Sequence, residues 1–347
     1  MKKASRNQVI DLIKGLAIFT VVLGHCIQYG SGSIVLENQS FYDNYLFKLI
    51  YSFHMPVFML VSGYLFSVSI QKYSTYELAQ KAIKTLLIPI VLWVLLYRIP
   101  EMVISYDGTD SLIKSIIKLI SYIVTGFWFL WAIFFFQIFT LCVKKWLLDS
   151  VWVYLITFTI LLIIPDLMIT QLYKYMYPYF YLGYFSRTLI KNSNLTEKFR
   201  RYGWVFILLT IVLLPLFNYR TYIYNNTITL MPNGYETYFD QVKNIVLRYG
   251  IGIVGSLGSI WLCVKINSMA CLNCIKEVLV VLGKNSLGIY IISGYIVSLI
   301  VVPTTANISP SFGILGLEAM LVTVTSILLT SVIQKIPFLN KYLLGGR

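Results

Sequence analysis

Long apolar runs dominate the pattern of hydrophobic and polar positions along this chain. A half-buried strand or helix of a water-soluble protein would show polar positions at short, regular intervals, and these runs do not. Several approach the length of about 20 residues with which an α-helix crosses the hydrocarbon core of a bilayer. The pattern predicts ten membrane-spanning helices, near residues 8–28, 46–69, 83–105, 127–144, 150–165, 172–190, 202–218, 242–265, 285–302 and 312–333.

Two segments depart from this simple pattern. In 111–126, Lys114 and Lys118 lie on one helical face and isoleucines on the other, which is typical of an amphipathic helix lying at the membrane surface. The sixth apolar run, near 172–190, is rich in tyrosine and contains Pro178, so its hydropathy signal is weaker.

The composition agrees with a membrane protein. The 347 residues are 58% hydrophobic and 12% charged, and the charged fraction is about half that of an ordinary soluble domain. The basic N-terminal segment has the charge pattern of a signal peptide, but Lys14 interrupts the apolar run and no small-x-small cleavage site follows. We therefore expect an all-α polytopic membrane protein with a retained first helix and a single domain, 1–347.

The formal net charge of +14 could indicate a nucleic-acid-binding protein. However, the basic residues fall in alternate loops, which is the distribution that membrane topology produces. With the N-terminus inside, the predicted inner segments hold Lys2, Lys3, Arg6, Lys72, Lys81, Lys84, Lys144, Lys145, Arg187, Lys191, Lys198, Arg200, Arg201, Lys265, Lys276, Lys284, Lys335, Lys341 and Arg347. The predicted outer segments hold Lys114, Lys118, Lys174, Arg220, Lys243, Glu37, Asp43, Asp107, Asp110, Asp166, Glu236 and Asp240. We expect both termini to be cytoplasmic, a multi-pass protein of the cell's inner or plasma membrane, and no nucleic-acid partner.

The five cysteines do not indicate a disulfide framework, because most lie in or beside apolar segments. Cys271-x-x-Cys274 lacks a second ligand pair, so the sequence does not predict a zinc site or any other metal.

The two histidines of the chain both fall inside predicted spans, His25 in the first and His54 in the second. Because these helices run in opposite directions, both are expected in the half of the bilayer away from the cytoplasm. Ionisable groups are costly in lipid and are candidates for function. A pair of histidines that only hydrogen-bond between helices is the alternative, but two at matched depth favour a functional role.

The first predicted helix also carries a lysine on the face of His25. Eleven steps separate Lys14 from His25, so the two lie within about 20° of one face and about 16 Å apart along the axis. Asp11 and Gln28 belong to the same broad stripe. Alternatively, Lys14 extends to the inner surface and pairs with Asp11, which leaves His25 unexplained.

Further charged residues lie near the ends of predicted helices. Lys81-x-x-Lys84 precedes the third apolar run, where both lysines could act only as topology signals. Near the outer ends lie Arg98, Glu101, Arg248 and Glu318. Their predicted depth matches that of the histidines, which suggests a shared polar cavity, unless several of them pair with one another.

The segment DLIKGLAIFTVVLGH (11–25) resembles the opening motif of the integral-membrane acyltransferase family 3, where a basic residue precedes an essential histidine. The segment SFHMPVFMLVSGYLF (52–66) is similar to the second helix of that family. Lys81-x-x-Lys84 resembles its basic pair before the third helix, and weaker similarities continue as far as 282–290. The resemblance thus covers the chain in the right order.

The chain departs from the common family pattern at several positions. Lysine replaces the common arginine at Lys14, Lys81 and Lys84, which resembles the branch of fucose 4-O-acetylases. A lysine is a point charge rather than a planar fork, so its contacts with phosphate are less specific. Ser293 stands where many relatives carry another histidine, and no role is carried over to it.

The resemblance implies acyl transfer from cytoplasmic acetyl-CoA to a hydroxyl of a sugar, a cell-surface polysaccharide or a glycolipid. His25 would be the general base, since imidazole titrates near working pH, and His54 would orient it or polarise the thioester. Lys14, Lys81 and Lys84 would hold the donor's phosphates. The expected acceptor-side residues are Asp11, Arg98, Glu101, Arg248 and Glu318. The acceptor's identity, an acyl-histidine intermediate, the role of His54 and homo-oligomerisation stay open.

Two other classes of function remain. A transporter or flippase of lipid-linked sugars would share the helices, the basic inner face and an outer cavity, but tends to show interrupted helices in paired halves. No such symmetry is visible in the sequence. A non-catalytic sensor or scaffold gives no reason for a lysine and a histidine on one helical face.

Overall fold

The computed structural model describes residues 7–30, 39–104, 112–147, 149–166, 169–222, 224, 227–232, 237–305 and 312–346. Within these residues all regular structure is helical and there is no β-strand, which confirms the all-α prediction. Some of the charged residues assigned to loops from the sequence lie outside the described residues, namely Lys2, Lys3, Arg6, Glu37, Asp107, Asp110, Glu236 and Arg347.

The α-helices in the described part of the chain are α1 (Gln8–Gly30), α2 (Tyr45–Ser69), α3 (Thr75–Ala82), α4 (Ile88–Ile104), α5 (Leu112–Thr125), α6 (Trp128–Trp146), α7 (Val151–Ile163), α8 (Thr170–Ile190), α9 (Ser193–Tyr202), α10 (Trp204–Leu213), α11 (Tyr238–Ser268), α12 (Asn273–Lys284), α13 (Ser286–Ile296), α14 (Val302–Thr305), α15 (Phe312–Lys335) and α16 (Pro337–Leu343). A π-helical turn, Ile83–Leu87, joins α3 to α4, so that Thr75–Val103 forms one long helix.

Every predicted apolar run coincides with a helix, but fewer helices qualify as membrane spans. Among the described residues, six helices are long and apolar enough to cross a membrane, or eight if two bent pairs each form one span. The pair α9–α10 bends by 54° and the pair α12–α13 by 80°. Helix α7 has only 13 residues, and α8 carries many tyrosines. The count of ten is therefore not confirmed, and the cytoplasmic termini stay a prediction.

The predicted amphipathic helix is present as α5. Four of its five isoleucines, Ile113, Ile116, Ile117 and Ile120, are exposed, and so are Lys114 and Lys118. The helix packs against α4 and α6. A helix with one apolar exposed face and a basic edge suits the boundary between lipid and water, and this location stays a prediction.

Helix α1 lies at the centre of the bundle and packs against α2, α11, α12, α13 and α15. Two glycines permit a close approach of α1 to α12. A Cβ at Gly15 would overlap the backbone of Leu279, and a Cβ at Gly283 would overlap the backbone of Asp11. Small residues at helix contacts allow backbones to meet in this way.

The same reciprocal arrangement fixes α2 against α8. A Cβ at Gly63 would overlap the backbone of Phe180, and a Cβ at Gly183 would overlap that of Leu60. Because α1 and α2 also pack on each other, the two helices that carry the histidines are held from both sides by direct backbone contact.

Candidate active site

A cavity of about 210 Å³ lies between α1, α2, α8 and α11, and we call it the histidine cavity. His25, His54 and Arg248 all line it, so the structure brings together three ionisable residues that the sequence places on three different helices. Its remaining lining residues are Val21, Tyr29, Tyr51, Met55, Pro56, Trp128, Tyr175, Phe217, Thr221, Tyr224 and Tyr290.

The His54 ring is held by its own helix. Its Nδ1 lies 2.7 Å from the carbonyl oxygen of Ile50, one turn earlier. Since a carbonyl only accepts, Nδ1 carries the proton and donates it. In the neutral imidazole, Nε2 then has the lone pair. Tyr51 packs its ring edge-on against His54, with 4.6 Å between centroids.

His25 is half-buried on α1, with the ring of Tyr29 edge-on at a centroid distance of 6.1 Å. One turn further along, α1 is tied to α2 by a hydrogen bond of 3.0 Å from the Tyr51 hydroxyl to Gln28 Oε1. The bond keeps the two histidine-bearing helices in register, and both imidazoles form walls of one cavity.

Arg248 on α11 is 3% exposed, and its guanidinium carbon lies 4.1 Å from the centre of the Tyr175 ring. Its Nη1 and Nη2 atoms have no hydrogen-bond partner among the described residues. Tyr175 supports the cation through its ring, while Nη1 and Nη2 are buried beside the cavity without a described hydrogen-bond partner.

A second cavity, of about 560 Å³, contains the basic residues of the predicted donor site, and we call it the lysine cavity. Lys14 from α1 and Lys81 from α3 line it, together with Ser62, Ser69 and Gln137. Met55 and Tyr290 line both cavities, so these two side chains lie at the boundary between the lysine cavity and the histidine cavity.

The C-terminal turn forms part of the wall of the lysine cavity. Gly345 and Gly346 line the cavity and have φ angles of 70° and 73°, a conformation that suits glycine. The Trp93 indole donates to the carbonyl of Leu343 over 2.9 Å, which anchors α16 against α4. The sequence offered no signal for this wall, because the wall depends on a contact between two residues that lie 250 positions apart in the chain.

Several predicted site residues line neither cavity. Lys84 is exposed in the π-helical turn after α3. Asp11 is buried where α1 meets α12, and Glu318 is half-buried on α15. The structure thus places none of these three in either cavity, and their binding roles stay predictions.

Arg98 and Glu101 do not line the histidine cavity but pair with each other, the alternative that the sequence left open, and their binding role stays a prediction. Arg98 Nη1 pairs with Glu101 Oε2 at 2.6 Å, and its guanidinium lies 3.8 Å from the ring centre of Tyr122 on α5. The two side chains satisfy each other on the face of α4 that meets α5. Predicted depth alone could not show which face of the helix they occupy.

The aromatic wall of the histidine cavity was not predicted. Its rings come from five helices and two loop positions, and a tyrosine in an apolar run gives no signal that separates a cavity wall from ordinary packing. The tyrosine-rich composition of α8, noted only as a weaker hydropathy signal, supplies Tyr175 to this wall.

The family described as "Acyltransferase domain" matches residues 7–334, nearly the whole chain. The chain belongs to the integral-membrane acyltransferase family 3. Its similarity to curated proteins agrees with this membership. It is 26% identical over 355 residues to nodulation protein NolL of Mesorhizobium japonicum, covering 99% of this chain and 91% of that protein. It is 31% identical over 192 residues to nodulation protein NolL of Sinorhizobium fredii, covering 55% of this chain and 51% of that protein.

No solved structure matches the chain. Membership of the acyltransferase family makes the protein a membrane acyltransferase, and it favours acyl transfer over the transport of lipid-linked sugars and over a purely structural role. Both histidines, Arg248 and the lysines Lys14 and Lys81 lie within the matched residues.

Proposed function

We propose that this acyltransferase moves an acetyl group from acetyl-CoA to a hydroxyl of a sugar in a cell-surface polysaccharide or glycolipid, in the plasma membrane. The observation that carries the proposal is the pair of adjoining cavities. One contains two lysines, the other two histidines, and Met55 and Tyr290 line both. A long donor with a charged end and a reactive end suits such a pair.

The phosphates of acetyl-CoA would bind in the lysine cavity. Lys14 and Lys81 face it from different helices, and the Lys81 ammonium lies 5.1 Å from the ring centre of Tyr73, which limits its freedom. Ammonium groups bind phosphate as point charges. Lys84, exposed one turn further along, would add to the local field. The pantetheine arm would then extend past Met55 and Tyr290 toward the histidines.

His25 would act as the general base. It removes the proton from the acceptor hydroxyl while that oxygen forms a bond to the acetyl carbonyl carbon. When the C–S bond breaks, the imidazolium returns the proton to the departing thiolate. His54 would orient the reaction rather than polarise the thioester, because its Nδ1 proton is engaged by Ile50 and its Nε2 only accepts.

The aromatic wall of the histidine cavity would hold the sugar. Pockets that bind small molecules combine apolar and aromatic walls with a few polar groups that fix orientation, and this cavity combines tyrosine and tryptophan rings with two imidazoles and a guanidinium. Carbohydrates present both C–H faces and hydroxyls to such a lining. The resemblance to fucose 4-O-acetylases suggests a deoxysugar as the first acceptor to test.

The proposal can be tested in membranes of the native host after deletion of its chromosomal copy of the protein, since these membranes supply the natural acceptor. After reintroduction of the protein, we expect acetyl-labelled acetyl-CoA to label the glycolipid or polysaccharide fraction, and mild alkali to release the label as acetate, as expected of an ester. Labelling equal to that of membranes without the protein would contradict the proposal.

A further inference from the structure

We infer that Arg248 stabilises the oxyanion that forms when the acceptor attacks the thioester, an inference that rests on the proposed function. Arg248 is a cation in the interior of the bundle, 3% exposed. Burying a charge without a partner is costly in a protein and more so in a membrane, and such residues are retained for function.

The other buried lysine or arginine in the described part of the chain is neutralised by a carboxylate, as expected of a structural role. Lys174 is 2% exposed, and its Nζ lies 2.7 Å from Asp166 Oδ1. Arg248 has no such carboxylate in the described part of the chain, and its Nη1 and Nη2 lack hydrogen-bond partners there. Its contact with the Tyr175 ring supports the cation but does not satisfy the Nη1 and Nη2 donors.

The other groups that face the histidine cavity do not neutralise Arg248. Among the residues that the structure describes, the titratable groups lining this cavity besides Arg248 are two histidines and five tyrosines, with no aspartate or glutamate. Tyrosine is neutral at ordinary pH, and histidine is neutral or positive. The cavity therefore carries positive charge before a ligand enters, which favours a group that is negative or becomes negative.

The proposed reaction creates one negative charge at this position. The thioester and the sugar hydroxyl are both neutral. As the hydroxyl oxygen bonds to the carbonyl carbon and its proton passes to His25, the carbonyl electron pair moves onto oxygen. The planar guanidinium can direct two N–H groups toward that oxyanion. When the oxyanion collapses, the C–S bond breaks and the thiolate takes the proton from His25.

Placing a preorganised cation where charge develops, in a cavity that excludes bulk water, is the arrangement that lowers a barrier most effectively. Arg248 fits this description because it is buried, its guanidinium packs on the Tyr175 ring, and it lines the same cavity as His25. Arg248 is therefore a catalytic residue in this proposal, beside the base His25.

The test uses the full chain in lipid nanodiscs, with acetyl-CoA as donor and the glycolipid fraction of the native host as acceptor. We expect Arg248→Ala to lower kcat about a hundredfold to a thousandfold, while KM for acetyl-CoA changes little. Added guanidinium, well below denaturing concentrations, should restore part of the kcat of Arg248→Ala. The kcat of Arg248→Lys should lie between those of Arg248→Ala and the wild type.

The matched control is Arg187→Ala. Arg187 is an arginine on α8 that donates to the Ser67 carbonyl and lines neither cavity. Its kcat should stay near that of the wild type and not respond to guanidinium.

Three results would overturn the inference. An unchanged kcat with a raised KM for the acceptor would show that Arg248 binds the ground state. A loss of kcat that guanidinium does not reverse would show a packing role, whether or not the melting temperature falls. An effect of the same size in Arg187→Ala would show a general loss of structure. Failure of the wild type to transfer acetyl would instead contradict the proposed function itself.

Discussion

At the scale of single residues, the hydrogen bond from His54 Nδ1 to the Ile50 carbonyl gives the two ring nitrogens different roles. Nδ1 is engaged with the backbone, whereas Nε2 keeps its lone pair. Asparagine can place its amide near Nδ1 and keep that bond, whereas glutamine reaches the position of Nε2. If the Nε2 lone pair orients the reacting groups, His54→Gln should keep a kcat at least about tenfold above that of His54→Asn. Steady-state kinetics of both purified variants measures this, and equal rates would contradict an Nε2 role.

The contributions of single residues to the site differ in how far the sequence reveals them. His25, His54 and Arg248 could be predicted because ionisable side chains stand out in apolar runs, where each is costly. Tyr51 and Tyr175 could not, since a ring in an apolar helix packs equally well in the core or at a cavity. The pairing of Arg98 with Glu101 depends on the face that α4 turns toward α5, which hydropathy does not record.

At the scale of helices, the glycine contacts between α1 and α12 set the position of His25. The backbone of Asp11 leaves no room for a Cβ at Gly283, whereas Gly294 on α13 has nothing within 4 Å of the same position. We expect Gly283→Ala to destabilise the fold by about 1–3 kcal/mol, the usual cost of overpacking. Gly294→Ala should leave the melting temperature of the purified protein nearly unchanged. Equal melting temperatures for the two variants would contradict the close contact.

The helices themselves follow from the sequence more readily than the spans do. Each apolar run formed a helix near its predicted bounds, because the length of the run fixes where the chain can stay in lipid. The bends between α9 and α10 and between α12 and α13 were not predicted. The bends lie at Gly203 and at Asn285. The helix is interrupted at each of these residues, although the apolar sequence continues beyond it. The number of spans therefore depends on local geometry that apolar length does not encode.

At the scale of the whole molecule, acetyl transfer by the proposed route requires that the donor reaches from the lysine cavity into the histidine cavity past Met55. Met55→Trp should obstruct this passage and lower acetyl transfer about a hundredfold, as expected when reacting groups are misplaced. Affinity for 3′-phosphoadenosine diphosphate, the end of the donor without the pantetheine arm, should persist. The control is Met55→Leu, a swap of similar volume that should be tolerated. Full activity of the tryptophan variant would contradict a path between the cavities at this point.

The positions of the lysines relative to the lysine cavity predict how strongly each one contributes to the affinity for coenzyme A. The triple variant Lys14→Gln, Lys81→Gln and Lys84→Gln should lower the affinity for coenzyme A at least about tenfold, and high salt should have a similar effect where the lysines reach water. Lys84→Gln alone should have the smallest effect, because Lys84 lines neither cavity. Equilibrium binding of coenzyme A to each correctly inserted variant gives the order of these effects. An unchanged affinity in the triple variant would place the donor's phosphates elsewhere.

The most direct test of the whole account is the turnover of His25→Ala at saturating acetyl-CoA. His25 lines the cavity that the proposed donor path reaches, and its removal takes away the base while leaving the lysine cavity intact. We predict that kcat falls at least about a hundredfold, the usual contribution of a general base, while affinity for coenzyme A and the melting temperature stay close to those of the wild type. A folded His25→Ala protein that transfers acetyl at a rate near that of the wild type would contradict the assignment of His25 as the general base.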